Sequence, residues 1–234
     1  MSSMPDGPWQ RLHIDFCGPL PTGEYLLVVI DRYSRYPEVE IVKSTNIQSV
    51  IPKLDRIFAT HGIPLQVITD NGPPFNGSDF SKYMQLLGIK FTPCTPKWPQ
   101  GNAEVERFNQ PLMKAIQAAT IEDRKWQQEI QRFLLQYHST PHSTTEVSPA
   151  ELLFNRPIQG KLPMLPNNIV DKHVGAQNNE ERKKVYNQHY ANARRGVKTN
   201  ILKEGDVVLV KQDKRNKLTP RFNPKLYTVI ERKS

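Results

Sequence analysis

Three short apolar runs come in succession near the start of the chain, and helix then alternates with strand. That order limits the architecture more than any other feature. Residues 10–16, 25–31 and 38–42 have strand character, and the second run is apolar until Asp31 closes it. Gly18-Pro19-Leu20-Pro21-Thr22-Gly23 supplies the first turn and Asp31-Arg32-Tyr33-Ser34-Arg35-Tyr36-Pro37 the second. Pro37 limits the third strand to an edge or a late start. Between 46 and 60, apolar residues at Ile47, Val50, Ile51, Leu54, Ile57 and Phe58 follow a helical period that His61-Gly62 ends. Pro52 lies inside this pattern, so the helix either begins near Ser49 or kinks. Residues 65–69 and 89–92 read as a fourth and fifth strand around a short helix at 78–87. The expected fold is α/β, a mixed five-stranded sheet flanked by helices.

The remainder is less regular. Helices are expected at about 102–120, from 121 or 122 to 138, and at 148–154, where Pro149 takes the first helical position. Residues 157–170 are proline-rich and mark a boundary. Residues 179–195 form a polar, basic linking helix ending at Gly196. Two β-rich stretches, 206–211 and 226–230, surround a basic loop, too few for a closed barrel. The expected division is therefore a core over 1–156, a linker and helix over 157–200, and a partial barrel over 201–234.

Charge follows the same division. Residues 1–170 hold 16 Lys/Arg and 16 Asp/Glu, whereas 171–234 hold 16 against 7, so the whole net charge of +9 lies in the tail. A basic tail binds a polyanion by releasing counterions. The longest apolar stretch, residues 25–30, is far short of a membrane span, and no secretory pattern opens the chain. Cys17 and Cys94, distant in sequence, indicate neither a disulfide framework nor a zinc site, which fits a reducing compartment.

Two aspartates close apolar runs. Asp15 ends Leu12-His13-Ile14, and Asp70 ends Val67-Ile68-Thr69 and opens Asn71-Gly72-Pro73-Pro74. On neighbouring strands they can project from one sheet edge, and a carboxylate in the first turn of the following helix can approach from the side. Glu104 and Glu106 both qualify; they point about 160° apart, and the apolar stripe Val105, Phe108, Leu112, Ile116 and Ala119 does not choose between them. Converging carboxylates repel one another unless divalent cations neutralise them.

The segments His13–Pro19, Val29–Arg35, Ile68–Phe75 and Pro99–Asn109 resemble the integrase catalytic core of gypsy-type LTR retrotransposons, a relative of retroviral integrase. Tyr137–His142 and Ser148–Phe154 are similar to the end of that core, and Gly205–Val210, with Leu218-Thr219-Pro220 and Phe222-Asn223-Pro224, to the start of its C-terminal DNA-binding barrel. The resemblance implies a ribonuclease-H-like core followed by a partial SH3-like barrel. It implies an acidic triad of Asp15, Asp70 and Glu106 with 35 residues between the last two, holding two Mg²⁺ or Mn²⁺ ions. It implies a two-metal polynucleotidyl transferase that processes 3′ ends of element DNA and joins them to target DNA. Asn71 and Gly72 are expected to shape the turn beside the site, Gly72 by a backbone conformation other residues resist. Residues 96–102 are expected as a mobile loop at the DNA end. Arg107, Asn109 and Lys114 are candidates for phosphate contact on the catalytic helix, and Lys211, Lys214, Arg215, Lys217 and Arg221 in the tail. Double-stranded DNA, a homo-oligomeric assembly, no membrane, and a nuclear location with a cytoplasmic phase complete the expectation.

The chain also departs from the family. Only eight residues precede Trp9, so no His₂Cys₂ zinc module, and no zinc, is expected within it. Lys97-Trp98 stand where Tyr-His is common, Glu146 replaces a common glycine, and Pro111 interrupts the catalytic helix. These differences support an alternative, a domesticated, catalytically inactive DNA-binding protein. A third reading, a ribonuclease H acting on hybrids, is disfavoured by the Asn-Gly-Pro turn, the basic tail and the 35-residue interval. His13 reads as a core or surface histidine. His138 and His142 have metal-pair spacing, but Pro141 breaks the helix it would need. Trp126 and Phe133 read as core.

Overall fold

The structure, a computed structural model, describes residues 4–94, 103–160, 172–194, 203–212, 220 and 222–231. The chain divides into two compact units, Met1–Val185 and Tyr186–Ser234.

The first unit is built on a five-stranded sheet of order β3-β2-β1-β4-β5, with strands β1 (Arg11–Cys17), β2 (Tyr25–Asp31), β3 (Pro37–Val42), β4 (Gln66–Thr69) and β5 (Lys90–Pro93). β2 pairs antiparallel with β1 and β3, while β4 pairs parallel with β1 and β5. The sheet is therefore mixed, and β3, which begins at Pro37, is an edge strand, where a missing N–H is tolerated.

β2 explains its own composition. Leu27 and Val29 face a core shared with helices α1 (Ile47–His61) and α2 (Ser78–Leu86), through Val50, Leu54, Ile57, Phe80 and Met84. Leu26, Val28 and Ile30 face a second core, built with Val105, Phe108, Leu112 and Ile116 of α3 (Ala103–Ile121) and Ile130 and Leu134 of α4 (Trp126–Ser139). A strand covered on both faces has no solvated side to carry polar residues.

Some boundaries differ from the sequence reading. α1 begins at Ile47, capped by Asn46, whose side chain accepts the Ser49 N–H at 2.8 Å, and it runs through Pro52. α3 likewise continues through Pro111. α4 starts at Trp126 rather than 121 or 122, because α3 ends in a turn with Asp123 at φ 53° and the Arg124 N–H donating to the Ala119 carbonyl. Helix α5 (Pro149–Phe154) is capped by Ser148, and α6 (Lys172–Arg194) is longer than the 179–195 expected. In the second unit the described residues form an antiparallel pair, β6 (Val207–Lys211) and β7 (Phe222–Thr228), with β7 starting before the expected 226. Two strands make a hairpin; an SH3-like barrel is not formed by them.

The β2–β3 turn is fixed from within. Asp31 is fully buried, and its carboxylate accepts hydrogen bonds from Ser34 Oγ (2.6 Å), the Ser34 N–H (2.9 Å) and the Tyr33 N–H (3.3 Å). Burial pushes its carboxyl up, while these donors and the Trp9 N–H pull it back. The turn carries Arg32 and Arg35 inward, Arg35 at φ 65°. Together they close a ring with two carboxylates. Arg32 reaches Glu104 of α3 at 2.8 Å and Glu180 of α6 at 2.9 Å; Arg35 pairs with Glu104 and reaches Glu180 at 2.8 Å. Asp31→Ala removes the acceptor that shapes this turn and leaves buried donors unpaired. It is expected to cost about 3 kcal/mol, read as a lowered midpoint in urea denaturation, whereas an unchanged midpoint would contradict the role given to Asp31.

Candidate acidic active site

Strand alternation decides where Asp15 faces. It pairs with Val28, and Cys17 pairs with Leu26. Both partners belong to the core beneath α3, whereas Leu12 and Ile14 belong to the opposite core. Asp15 therefore lies on the α3 side of the sheet. The parallel register between β1 and β4 ends at Ile14 opposite Thr69, so Asp15 and Asp70 are the next residues on adjacent strands, whose axes are about 4.8 Å apart.

Aromatic packing holds these strand ends. Phe16 stacks on Phe75, ring centroids 5.1 Å apart, and Phe75 is fully buried just beyond the turn that Asp70 opens. The Phe16 N–H donates to Asp15 Oδ1 at 2.8 Å. Within the turn, a Cβ on Gly72 would stand 2.9 Å from Asp70 Oδ2. Gly72 is not among the glycines at positive φ. The expectation of an unusual backbone conformation is thus corrected: at position 72 a side chain would press on the Asp70 carboxylate and displace it.

α3 carries both Glu104 and Glu106, and the structure gives them different surroundings. Glu104 is consumed by the ring with Arg32 and Arg35. Glu106, on the other side of the helix, is exposed and lies within electrostatic reach of Asp15. The Asp15 carboxyl is pushed up from 3.8 to about 6. Burial is the largest cause, opposed by the Phe16 N–H and reinforced by the charges of Asp70 and Glu106. Acids from β1, the end of β4 and the first turn of α3 thus share one electrostatic field. Cys17 and Cys94 flank it: burial raises both thiols, with Asp15 adding to the first and Asp70 to the second.

This donor set fits a hard divalent cation, which takes carboxylate oxygens. Among the described residues no three His, Cys, Asp or Glu side chains form a ready-made metal cluster. The acids feel one another without being drawn to a common coordination distance, so an ion would have to gather them.

Arg107, Asn109 and Lys114 lie within about 100° of Glu106 around α3. Arg107 and Lys114 are exposed; Asn109 is half-buried, and its Oδ1 has no hydrogen-bond partner among the described residues. Lys211 is exposed on β6. Lys214, Arg215, Lys217 and Arg221 lie outside the described residues, as do residues 95–102, including the expected loop and Trp98. The two histidines with metal-pair spacing go separate ways. His138 stacks on Tyr36 with its Nε2 2.9 Å from the Pro37 carbonyl, while His142 Nδ1 accepts the Thr144 N–H. Arg32, Arg35 and Glu180 had no signal as ring members in the sequence, since buried and solvated charges look alike there.

The family model described as Integrase core domain matches residues 5–99. An uncharacterized Caenorhabditis elegans protein, K02A2.6, is 38% identical over 163 residues, which is 69% of this chain and 13% of that protein. The transposon Tf2-3 polyprotein of Schizosaccharomyces pombe is 25% identical over 250 residues, covering 95% of this chain and 18% of the polyprotein. The chain thus spans less than a fifth of the length of these two relatives. Among solved structures, the HTLV-2 integrase catalytic core domain in complex with magnesium superimposes with a TM-score of 0.54 at 18% identity, covering 63% of this chain and 98% of that one. The sheet order, its flanking helices and these likenesses agree: the protein carries a ribonuclease-H-like, LTR-retrotransposon integrase-like core.

Proposed function

We propose that this chain is an integrase-type polynucleotidyl transferase that trims the 3′ ends of an element's DNA and joins them to target DNA. The observation that carries the proposal is the placement of the acids: Asp15 and Asp70 on adjacent parallel strands, with Glu106 on the first turn of α3 within electrostatic reach of Asp15. A fold that holds like charges in one another's field at a sheet edge retains electrostatic strain that a cation relieves. Asp15, Asp70 and Glu106 would hold two Mg²⁺ or Mn²⁺ ions. Such ions activate an attacking oxygen and stabilise a leaving one. Asp15 must release its proton to serve, and its half-buried position strengthens its attraction for a cation. Exposed Arg107 and Lys114 line the same sector of α3 and offer charge to phosphates, which position DNA without reading its sequence. The basic stretch 171–234 adds attraction for the polyanion, and Lys211 presents one such charge on β6.

Double-stranded DNA, as element end and as target, is the partner this chemistry requires, and joining two ends calls for more than one copy of the chain. The work would be done in the nucleus after a cytoplasmic phase. Among the described residues no helix is long and apolar enough to cross a membrane. The concentration of positive charge in 171–234 also supports a second reading, a DNA-binding protein that keeps this fold without the chemistry.

Purified protein with Mn²⁺, a labelled double-stranded DNA end and a plasmid target tests the proposal. Strand-transfer products are expected, and Glu106→Gln is expected to lower their rate about 10²–10³-fold. DNA binding without any product would favour the second reading; full activity in Glu106→Gln would reject the assignment of the site.

Burial of the Asp15 carboxyl, reinforced by the charges of Asp70 and Glu106, has a pH signature in EDTA. The folded protein holds the Asp15 proton more tightly than the unfolded chain does. The associated stability is therefore present below the ordinary value of 3.8 and is lost as pH rises through about 6. Asp15→Asn is expected to stabilise the protein above pH 6, by on the order of 1 kcal/mol after discount for solvent screening. Near pH 4 the variant should match the parent. Urea denaturation at the two pH values measures the difference, and equal effects at both would contradict it.

A further inference from the structure

Glu180 sits far along the chain from the acidic site, on a helix the sequence presents as a linker, yet it is 5% exposed. α6 is docked, not merely adjacent. Ala176, one turn earlier on the same face, is fully buried with Tyr33, Val147 and Leu152. Asn179 Nδ2 donates to Glu146 Oε2 at 2.9 Å, and Lys183 Nζ donates to the Ser143 carbonyl. This contact delivers the Glu180 carboxylate to the buried pair Arg32 and Arg35, side chains 9% and 7% exposed.

The ring is closed, each arginine bridging both glutamates and each glutamate both arginines. Two charges of each sign balance. Remove the Glu180 charge and two buried guanidiniums share the single carboxylate of Glu104, each with a freed N–H group. Glu104 must then answer alone for both cations. It lies two residues before Glu106 on the first turn of α3, about 3 Å away along the helix axis. A rigid turn transmits displacement: where Glu104 is pulled, Glu106 follows.

We propose that Glu180 is a positioning residue for the acidic site, acting through Arg32, Arg35 and Glu104 to hold Glu106 where it can share a divalent cation with Asp15 and Asp70. The inference rests on the reading of that triad as a cation site. α6 is on this account part of the catalytic apparatus rather than a spacer. The ring sets the entry angle of α3 from one side, while the apolar stripe beneath Val105 and Phe108 sets its depth.

Mn²⁺ binding to the full chain, followed by titration calorimetry without DNA, tests this. Glu40→Gln serves as the comparator: Glu40 is a buried carboxylate paired with Lys53 and Arg56 of α1, on the opposite side of the sheet from α3. Removing it disturbs the fold without touching the ring. Glu180→Gln is expected to weaken Mn²⁺ binding about tenfold, as loss of a supporting partner does at metal sites; Glu40→Gln is expected to stay within about twofold of the parent. Glu180→Asp, which keeps the charge on a shorter arm, should fall between them. Near-UV circular dichroism selects a temperature at which each variant is folded, and if Glu180→Gln does not fold, Glu180→Asp decides. Parent-like binding in the folded Glu180 variants, or weakening no greater than that of Glu40→Gln, overturns the inference. Glu106→Gln separates the two ideas: if it too binds Mn²⁺ like the parent, the reading of the triad has failed rather than the role of Glu180.

Discussion

Like charges at the end of a sheet are the constraint around which this protein is organised. Asp15, two residues before the end of β1, and Asp70, just past β4, stand on adjacent parallel strands, and α3 brings Glu106 within electrostatic reach of Asp15. Nothing about three carboxylates favours their company. The surrounding structure must impose it, through apolar burial of β2 on both faces, the stack of Phe16 on Phe75, and the clearance that Gly72 leaves for Asp70. Repulsion retained in this way is useful when a cation is to be bound, because binding then relieves strain in addition to forming contacts.

A second electrostatic device stands beside the first and has the opposite character. The ring of Arg32, Arg35, Glu104 and Glu180 is balanced, with all but Glu104 buried. Buried pairs of this kind contribute little net stability compared with an apolar core, but losing one partner is costly because it strands the others. Such an arrangement is suited to fixing geometry. Here it ties the turn after β2, the start of α3 and the face of α6 to a common point. Glu104 and Glu106, two residues apart, thus divide the work: one anchors the helix and the other faces the acidic site.

Much of this was legible beforehand and some could not have been. The unbroken apolar run of β2 announces a strand buried on both faces, and Pro37 announces an edge; both follow from local sequence alone. The placement of Asp15 near the end of β1 and of Asp70 just past β4 is equally local. The choice between Glu104 and Glu106 is not, since helical periodicity places both on opposite flanks of one apolar stripe. Arginines some seventy residues earlier in the chain occupy Glu104, while Glu106 stays exposed. Glu180 is hidden for the same reason: beside Glu181 in a polar helix, nothing local distinguishes the buried acid from the solvated one. Gly72 shows a different failure. Its presence in a turn suggested backbone freedom, but what it spares is the position of the neighbouring Asp70 carboxylate. The late start of α4 depends on Asp123 adopting a left-handed conformation, which aspartate permits without advertising. In the second unit, β-rich composition identified strands but not the extent of β7.

The titration of a single carboxyl group tests the central claim most directly. With ¹³C-labelled aspartate and EDTA present, the Asp15 side-chain resonance is expected to titrate with a midpoint near 6 rather than near 3.8, and to move downward when Glu106 is replaced by glutamine. A midpoint at the ordinary aspartate value, indifferent to Glu106, would mean that the acids do not share a field, and the account of this site would be wrong.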